Sequence, residues 1–238
     1  MVLKYHYRFL SVKFPRLGDW GLAYETGLHI GDGCLSHYQP HHYRYVLSGN
    51  RATEREYYVQ FVAPLLTNLY GITPRLYEYR NSIFATITSK PLVAFKSEVV
   101  GLPIGKKSSL THLPKSILDQ GDKSVACLLS GLYDADGSVK VRRTPSGNYP
   151  RISFAQKSKG IVEDVKSHLA SRFGILSTLY RNDYYDPRVS KVETRWFLDI
   201  NGYANLRKFV EFVGSNHPEV NRRMFCLLSS SNAAGYSA

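Results

Sequence analysis

Two long stretches of the chain carry apolar residues at helical spacing, and short stretches of alternating polar and apolar residues lie around them. Residues 51–70 and 159–173 each show an apolar stripe of helical period, and Gly71 and Gly174 follow them as stop signals. Alternation with period two is typical of half-buried strands. It predicts strands at 34–39, 43–47, 75–79, 83–88, 138–143, 149–155, 176–180 and 191–200. Shorter helices are predicted at 91–99, 203–213 and 220–228.

The same short motif occurs twice, nearly half the chain apart. ETGLHIGDGCLS, which begins at Glu25, and LLSGLYDADGSVK, which begins at Leu128, share one frame of small residues followed by Asp-Gly. Because an internal repeat fixes the architecture, the chain is predicted to be α+β, with tandem pseudo-symmetric αββαββα halves. We expect a basic N-terminal extension at 1–18, a first half at 19–104, a linker rich in Gly, Pro, Ser and Lys at 105–120 and a second half at 121–238.

The repeated motif predicts a pair of carboxylates at two helix ends. Gly27 and Gly31 are four residues apart, as are Gly131 and Ala135, so each helix has one face of small residues against which the other can pack closely. That packing would place Asp32 and Asp136 side by side. Carboxylates at the negative ends of two helix dipoles need a positive partner, and Mg²⁺ bound together with substrate phosphates is a usual one.

Other interpretations of the motif are weaker. A single Asp-Gly after a helix is usually only a stop signal, but two copies in one frame argue against coincidence. An EF-hand loop would need calcium ligands where Leu132 and Arg143 stand. Asp134 has Ile30 as its counterpart in the first copy, so we interpret it as a capping or supporting residue.

The charge of the chain predicts a polyanionic partner. With 31 Lys and Arg against 19 Asp and Glu, the formal net charge is +12. No apolar run approaches the roughly 20 residues of a membrane-spanning helix, and no secretory leader is seen. Three distant cysteines indicate neither a zinc site nor a disulfide framework. We therefore expect a cytoplasmic, nucleoid or organellar protein that is not secreted, with no membrane and no protein partner.

Several predicted strands alternate apolar residues with basic, aromatic or hydroxyl residues, which fits a nucleic-acid-binding sheet face. An ordinary solvated face would show a similar alternation with less cationic bias. The candidate DNA-binding residues are Arg44, Arg75, Tyr77, Lys140, Arg142, Arg151, Ser153 and Arg195. For any one of the basic residues, contact with phosphate is the more frequent role than contact with a base.

LSGLYDADG resembles the signature of the LAGLIDADG homing endonucleases, and TGLHIGDG resembles the divergent first copy of their two-motif members. FAQKS, ITSKPLVAF and LDINGYANLRKFV extend the resemblance over most of residues 19–228. It implies a monomer whose two motif helices form a central interface, with two antiparallel sheets forming a saddle over double-stranded DNA with a long target site. Cleavage across the minor groove would leave 3′ overhangs.

The same resemblance implies the roles of individual residues. Asp32 and Asp136 correspond to the metal-binding acids, assisted by the backbone of Gly31 and Ala135, and Mg²⁺ is the expected ion, with Mn²⁺ or Ca²⁺ able to occupy the same sites. Gln156 and Lys157 correspond to catalytic residues that position water or stabilise charge. The corresponding place in the first half, near Ser48 and Gly49, has no lysine.

Three functions are compatible with these motifs. The first is a site-specific double-strand DNA endonuclease encoded in an intron, and the alternative is an RNA-binding splicing maturase of the same fold. A DNA-binding regulator without nuclease activity is the third. Retention of both acids and Lys157 argues against the maturase and the regulator, although a maturase can keep its acids. An intein is not expected, because the sequence begins MVLKY rather than with Cys or Ser, and it ends GYSA rather than with His-Asn.

Overall fold

The computed structural model describes residues 12–38, 42–105, 110–145, 147–187 and 190–233. The helices are α1 (Trp20–Asp32), α2 (Arg51–Tyr57), α3 (Ala63–Tyr70), α4 (Lys90–Ala94), α5 (Lys115–Leu118), α6 (Asp122–Asp136), α7 (Lys159–Phe173), α8 (Tyr203–Phe212) and α9 (Pro218–Ala233). Two π-helical turns, Tyr58–Val62 and Phe95–Val99, follow α2 and α4. The strands are β1 (Gly33–Tyr38), β2 (His42–Asn50), β3 (Arg75–Tyr79), β4 (Ser82–Thr88), β5 (Gly137–Thr144), β6 (Gly147–Gln156), β7 (Thr178–Asp186) and β8 (Lys191–Asn201).

The strands form two four-stranded antiparallel sheets of the same topology, one in each half. The orders are β1-β2-β4-β3 and β5-β6-β8-β7. In the first sheet, Gly33 pairs with Leu47, which in turn pairs with Ala85. In the second sheet, Gly137 pairs with Phe154, which in turn pairs with Leu198. The duplicated α+β architecture predicted from the motifs is therefore confirmed.

The motif helices α1 and α6 pack against each other through backbone contacts at their glycines. A methyl group added to Gly27 would collide with the carbonyl oxygen of Leu128, and one added to Gly131 would collide with that of Tyr24. All residues of α1 from Gly21 to Ile30 are buried, and most of α6 is buried as well. Because glycine lets the two main chains touch, this pair forms the centre of the molecule.

Each sheet turns one face towards the helices and leaves the other face open. In the second half, Ile152, Phe154, Leu198 and Ile200 are buried on the inner face, where α7 and α8 pack. Leu35, Tyr45, Leu47, Ile83 and Ile87 are their counterparts in the first half. Since side chains alternate along a strand, the intervening residues lie on the outer faces.

A buried ion pair fixes α1 within the first half. Lys96, in the turn after α4, donates to Glu25 at the middle of α1, and both side chains are fully buried. The hydroxyls of Tyr45 and Tyr70 also donate to this carboxylate, and Lys96 donates to Thr26 at 3.1 Å. With every partner satisfied, the pair ties the helix to the strand and helices around it.

Two details differ from the sequence prediction. The segment RNDYYDPRVS lies between the strands predicted at 176–180 and 191–200, but β7 continues through it to Asp186, which pairs with Lys191 of β8. Ladder pairing outweighs the polar, turn-like composition of this segment. The linker region also contains the short helix α5. Residues 1–11 of the predicted extension and 106–109 of the linker lie outside the described residues, and the domain boundaries stay a prediction.

Candidate active site and nucleic-acid interface

The two motif aspartates end the paired helices and are both partly exposed. Asp32 is the last residue of α1 and Asp136 the last of α6, and a glycine starts a strand directly after each. The close helix packing continues to this end. A methyl group built on Gly31 would collide with the Cβ of Ala135 and lie 2.8 Å from the Oδ2 of Asp136. The predicted juxtaposition of these two helix ends is thus present.

The second-half site brings Asp136 together with Gln156 and Lys157. The side-chain amide of Gln156 donates to the Oδ2 of Asp136. Lys157 pairs with Glu193 on β8, although 60% of the lysine side chain stays exposed. Asp136, Gln156, Lys157 and Arg195 line an open cavity of about 650 Å³, which the linker residues 110–112 also border. A phosphate group could enter this cavity between the carboxylate and the cations.

The first-half site has a different chemistry at the corresponding positions. When the two halves are compared by strand register, Gly49 and Asn50 are equivalent to Gln156 and Lys157. Ser48 and Gly49, named in the sequence analysis, are therefore one residue out of register. Asn50 caps α2 by accepting from the Ala52 amide, so its side chain is engaged. Ser48 donates to the carbonyl oxygen of Asp32 at 3.1 Å. No lysine replaces Lys157 at this register position.

The space beside Gly49 is filled by Glu54 and Tyr58. A methyl group on Gly49 would collide with the Tyr58 ring, and Glu54 lies equally close. Burial raises the pKa of Tyr58, and the nearby carboxylates of Asp32 and Glu54 raise it further. Burial also raises the pKa of Glu54, whose Oε1 lies 3.8 Å from the Nε2 of His217. The surroundings of Asp32 are therefore more enclosed and less cationic than those of Asp136.

Asp134 connects the two motif helices to the loop before α9. Its buried carboxylate accepts from the hydroxyls of Tyr24 and Ser215 and from the backbone amides of Asn216 and His217, the Asn216 bond measuring 2.8 Å. Burial raises the pKa of Asp134 to about 6, while its hydrogen bonds oppose the shift. These bonds engage the carboxylate of Asp134 within the helix interface, which is compatible with its interpretation as a capping or supporting residue.

The donor set suits a hard divalent cation that is completed by substrate. Among the residues described, no cluster of three or more His, Cys, Asp and Glu could enclose a metal ion. Asp32 and Asp136 instead offer one partly exposed carboxylate at each of two adjoining helix ends. Mg²⁺ commonly binds through one or two carboxylates together with phosphate oxygens and water. The residues present therefore fit such an ion.

All eight candidate DNA-binding residues lie on the outer sheet faces. In the first sheet, Arg44 pairs with Thr88, Arg75 with Thr86 and Tyr77 with Phe84. In the second sheet, Lys140 lies opposite Arg151 and Ser138 opposite Ser153, while Arg142 and Arg195 occupy the same face. The structure thus gathers them on the faces opposite the helices, and their contact with DNA stays a prediction.

Sequence patterns did not single out Glu54, Tyr58 and His217, described above, or Asp199 on β8. Asp199 lies on the outer face of β8 and is 5% exposed. A lone carboxylate within the apolar run WFLDI was its available signal. Glu54 and Tyr58 lie beside Gly49 because their helix packs over the end of β2, and His217 approaches Glu54 from a distant segment. No helix within the described ranges is long and apolar enough to cross a bilayer.

A family model described as "LAGLIDADG-like domain" matches residues 123–214. Among curated proteins, the chain is 27% identical over 220 residues to the replicative DNA helicase DnaB of Rhodothermus marinus, which covers 87% of the chain and 22% of that protein. It is 31% identical over 112 residues to a probable translation initiation factor IF-2 of Thermococcus kodakarensis, covering 47% of the chain and 8% of that protein. The chain thus spans less than a quarter of either relative.

Solved structures of homing endonucleases share the fold. I-DmoI in complex with DNA and Mn has a TM-score of 0.58 at 21% identity, covering 84% of this chain and 99% of that one. The LAGLIDADG meganuclease I-AabMI bound to uncleaved DNA has a TM-score of 0.57 at 10% identity, covering 89% and 91%. Residues 123–214 thus match a LAGLIDADG-like domain, and the chain as a whole shares its fold with these solved homing endonucleases.

Proposed function

We propose that this chain is a site-specific, divalent-metal-dependent endonuclease that cuts both strands of DNA. The observation that carries the proposal is the pair of partly exposed aspartates, Asp32 and Asp136, at adjoining helix ends between two cationic sheet faces. A bound Mg²⁺ would supply Lewis-acid stabilisation of the charge that develops on the scissile phosphate. The carboxylates hold the ion, and the sheets hold the duplex.

The remaining residues assist by position and charge. Gln156 orients the carboxylate of Asp136, and Lys157 places a cation at the same cavity. The backbone carbonyls of Gly31 and Ala135 lie beside the aspartates and would complete the metal environment. Two centres, each serving one strand across a minor groove, would leave 3′ overhangs. We further propose that one chain acts as a monomer and that it is encoded in an intron.

The solved relatives support this proposal. Their structures are described as complexes with DNA, and the I-DmoI complexes as containing Mn, Mg or Ca. I-WcaI is described as bound to its DNA recognition sequence. Together with a net charge of +12, this favours duplex DNA as the substrate of the chain.

The test is cleavage of a randomised duplex library with Mg²⁺, followed by mapping of the breaks. We expect defined double-strand breaks with 3′ overhangs from the wild-type chain. Asp32→Asn and Asp136→Asn should each retain binding and lose cleavage of at least one strand, whereas Asp119→Asn, which changes an exposed acid outside the site, should cut normally. Normal cutting by either motif variant would refute the metal assignment. Binding to structured intron RNA without any DNA cleavage would instead identify a maturase.

A further inference from the structure

A buried carboxylate lies in the middle of the open face of the second sheet. Asp199 is 5% exposed although it faces away from the helices. Its Oδ1 accepts from the Ser153 hydroxyl at 2.7 Å, and its Oδ2 accepts from the Arg151 Nη1 at 3.2 Å and the Tyr180 hydroxyl at 3.3 Å. Three side chains of this face are therefore fixed by one acid.

The acid holds Arg151 while leaving part of it accessible. The Nε of Arg151 is buried without a hydrogen-bond partner, but the side chain as a whole is 30% exposed, so the outer end of the guanidinium stays partly accessible. Aromatic packing supports the arrangement, because Tyr180 stacks on Phe197 with ring centroids 5.3 Å apart. A guanidinium held in one orientation loses less conformational entropy when it forms a two-pronged hydrogen bond than a mobile one does.

The first sheet provides an internal comparison. The strand register places Arg44 where the second sheet has Arg151, and Thr86 where it has Asp199. Tyr77 stacks on Phe84 as Tyr180 stacks on Phe197, with centroids 4.9 Å apart. Within the described part of the chain, no ion pair holds Arg44, which is exposed. The two halves thus share the aromatic pair and the arginine but differ in the carboxylate.

We infer that Arg151, held by Asp199, reads a guanine in the major groove of the bound DNA. This inference rests on the proposed function, since it specifies one base contact of the same DNA-binding face. Arginine reads guanine through two hydrogen bonds to O6 and N7, which demands a fixed guanidinium plane. Lys140, which pairs directly with Arg151 across the strands, is exposed, and we expect it to contact phosphate instead. Asp199 acts here as a positioning residue.

The test is selection of binding sites from randomised duplex DNA, followed by affinity measurements on single-base variants of the selected site. The wild-type chain should prefer guanine at one position. Arg151→Lys keeps the positive charge but loses the rigid planar fork of the guanidinium, so that preference should fall about tenfold or more at that position alone. Asp199→Asn should weaken the preference at the same position, although it leaves Arg151 in place.

The controls separate base reading from charge and from folding. Lys140→Ala should weaken binding to all sequences about equally and reduce its salt dependence. Arg44→Lys, at the position without a carboxylate, should change base preference less than Arg151→Lys does. Unchanged preference in folded Arg151→Lys, or loss spread evenly over all positions, would overturn this inference while leaving the endonuclease intact. Failure of the wild-type chain to select any site would overturn both.

Discussion

Gly31 of the first motif helix lies against the carboxylate of Asp136 on the second, and a methyl group on Gly31 would come within 2.8 Å of its Oδ2. The same methyl group would collide with the Cβ of Ala135, the residue before Asp136. We therefore expect Gly31→Ala to displace this end of the second helix with Asp136 and to slow cleavage of one strand about 100-fold, since small displacements of catalytic groups cost rates of that order. Single-turnover cleavage of an end-labelled duplex measures this. Gly18→Ala is the control, because its nearest neighbour would be 3.6 Å away. Equal rates for the two variants would contradict the expectation.

Gly27→Ala should destabilise the fold by about 3 kcal/mol. Alanine normally favours a helix over glycine by about 1 kcal/mol, but a methyl group here would collide with the backbone of Leu128, and overpacking of this kind outweighs propensity. Urea denaturation gives the unfolding free energy. If Gly27→Ala were as stable as the wild type, the two helices would not pack as described.

Lys96→Met should destabilise the protein by about 3–5 kcal/mol, because it leaves the Glu25 carboxylate buried without its cation. Tyr45 and Tyr70 still donate to the carboxylate, but neither carries charge. The double variant Glu25→Gln/Lys96→Met should recover part of this loss. Chemical denaturation of both variants tests the pair, and strict additivity with Glu25→Gln would show that the two side chains are not coupled.

Asp134 should make the protein less stable as the pH rises from about 4 to 6. Its folded pKa of about 6 lies above the ordinary aspartate pKa of 3.8, so in this window the folded state binds more protons than the unfolded state. The stabilisation is full below the unfolded pKa and is lost as the pH passes the folded one, a change of roughly 3 kcal/mol. Unfolding free energies measured across this range should show this pH-dependent loss of stability in the wild type and not in Asp134→Asn. Identical pH profiles would contradict it.

The two strands of the substrate should be cut at different rates. The second-half site has Gln156 and Lys157, whereas the first-half site has Gly49 and Asn50 at the same register positions. We expect a transient nicked product from the wild type. Lys157→Ala should slow the faster strand about 10- to 100-fold and leave the other rate nearly unchanged. Strand-specific labels resolve the two rates, and equal slowing of both strands would rule out this asymmetry.

The duplicated elements could be predicted from the sequence, because two copies of the same motif and of the same alternation reinforce each other. The aspartate pair followed directly from glycine spacing. The carboxylate of Asp199 and the Glu54–Tyr58 contact beside Gly49 could not be predicted, since they depend on the register between strands and on a helix packed over one strand end. The length of β7 was also missed, because pairing with β8 overrides its polar composition.

The contact between the motif helices is made by main chain on main chain at Gly27 and Gly131. Backbone atoms at this contact fix how the two helices lie against each other. For the proposed endonuclease, they therefore also set the stagger between the two cuts. The outer sheet faces can diversify during evolution and follow new recognition sequences without altering that stagger. Replacement of either glycine is the change that such divergence does not tolerate.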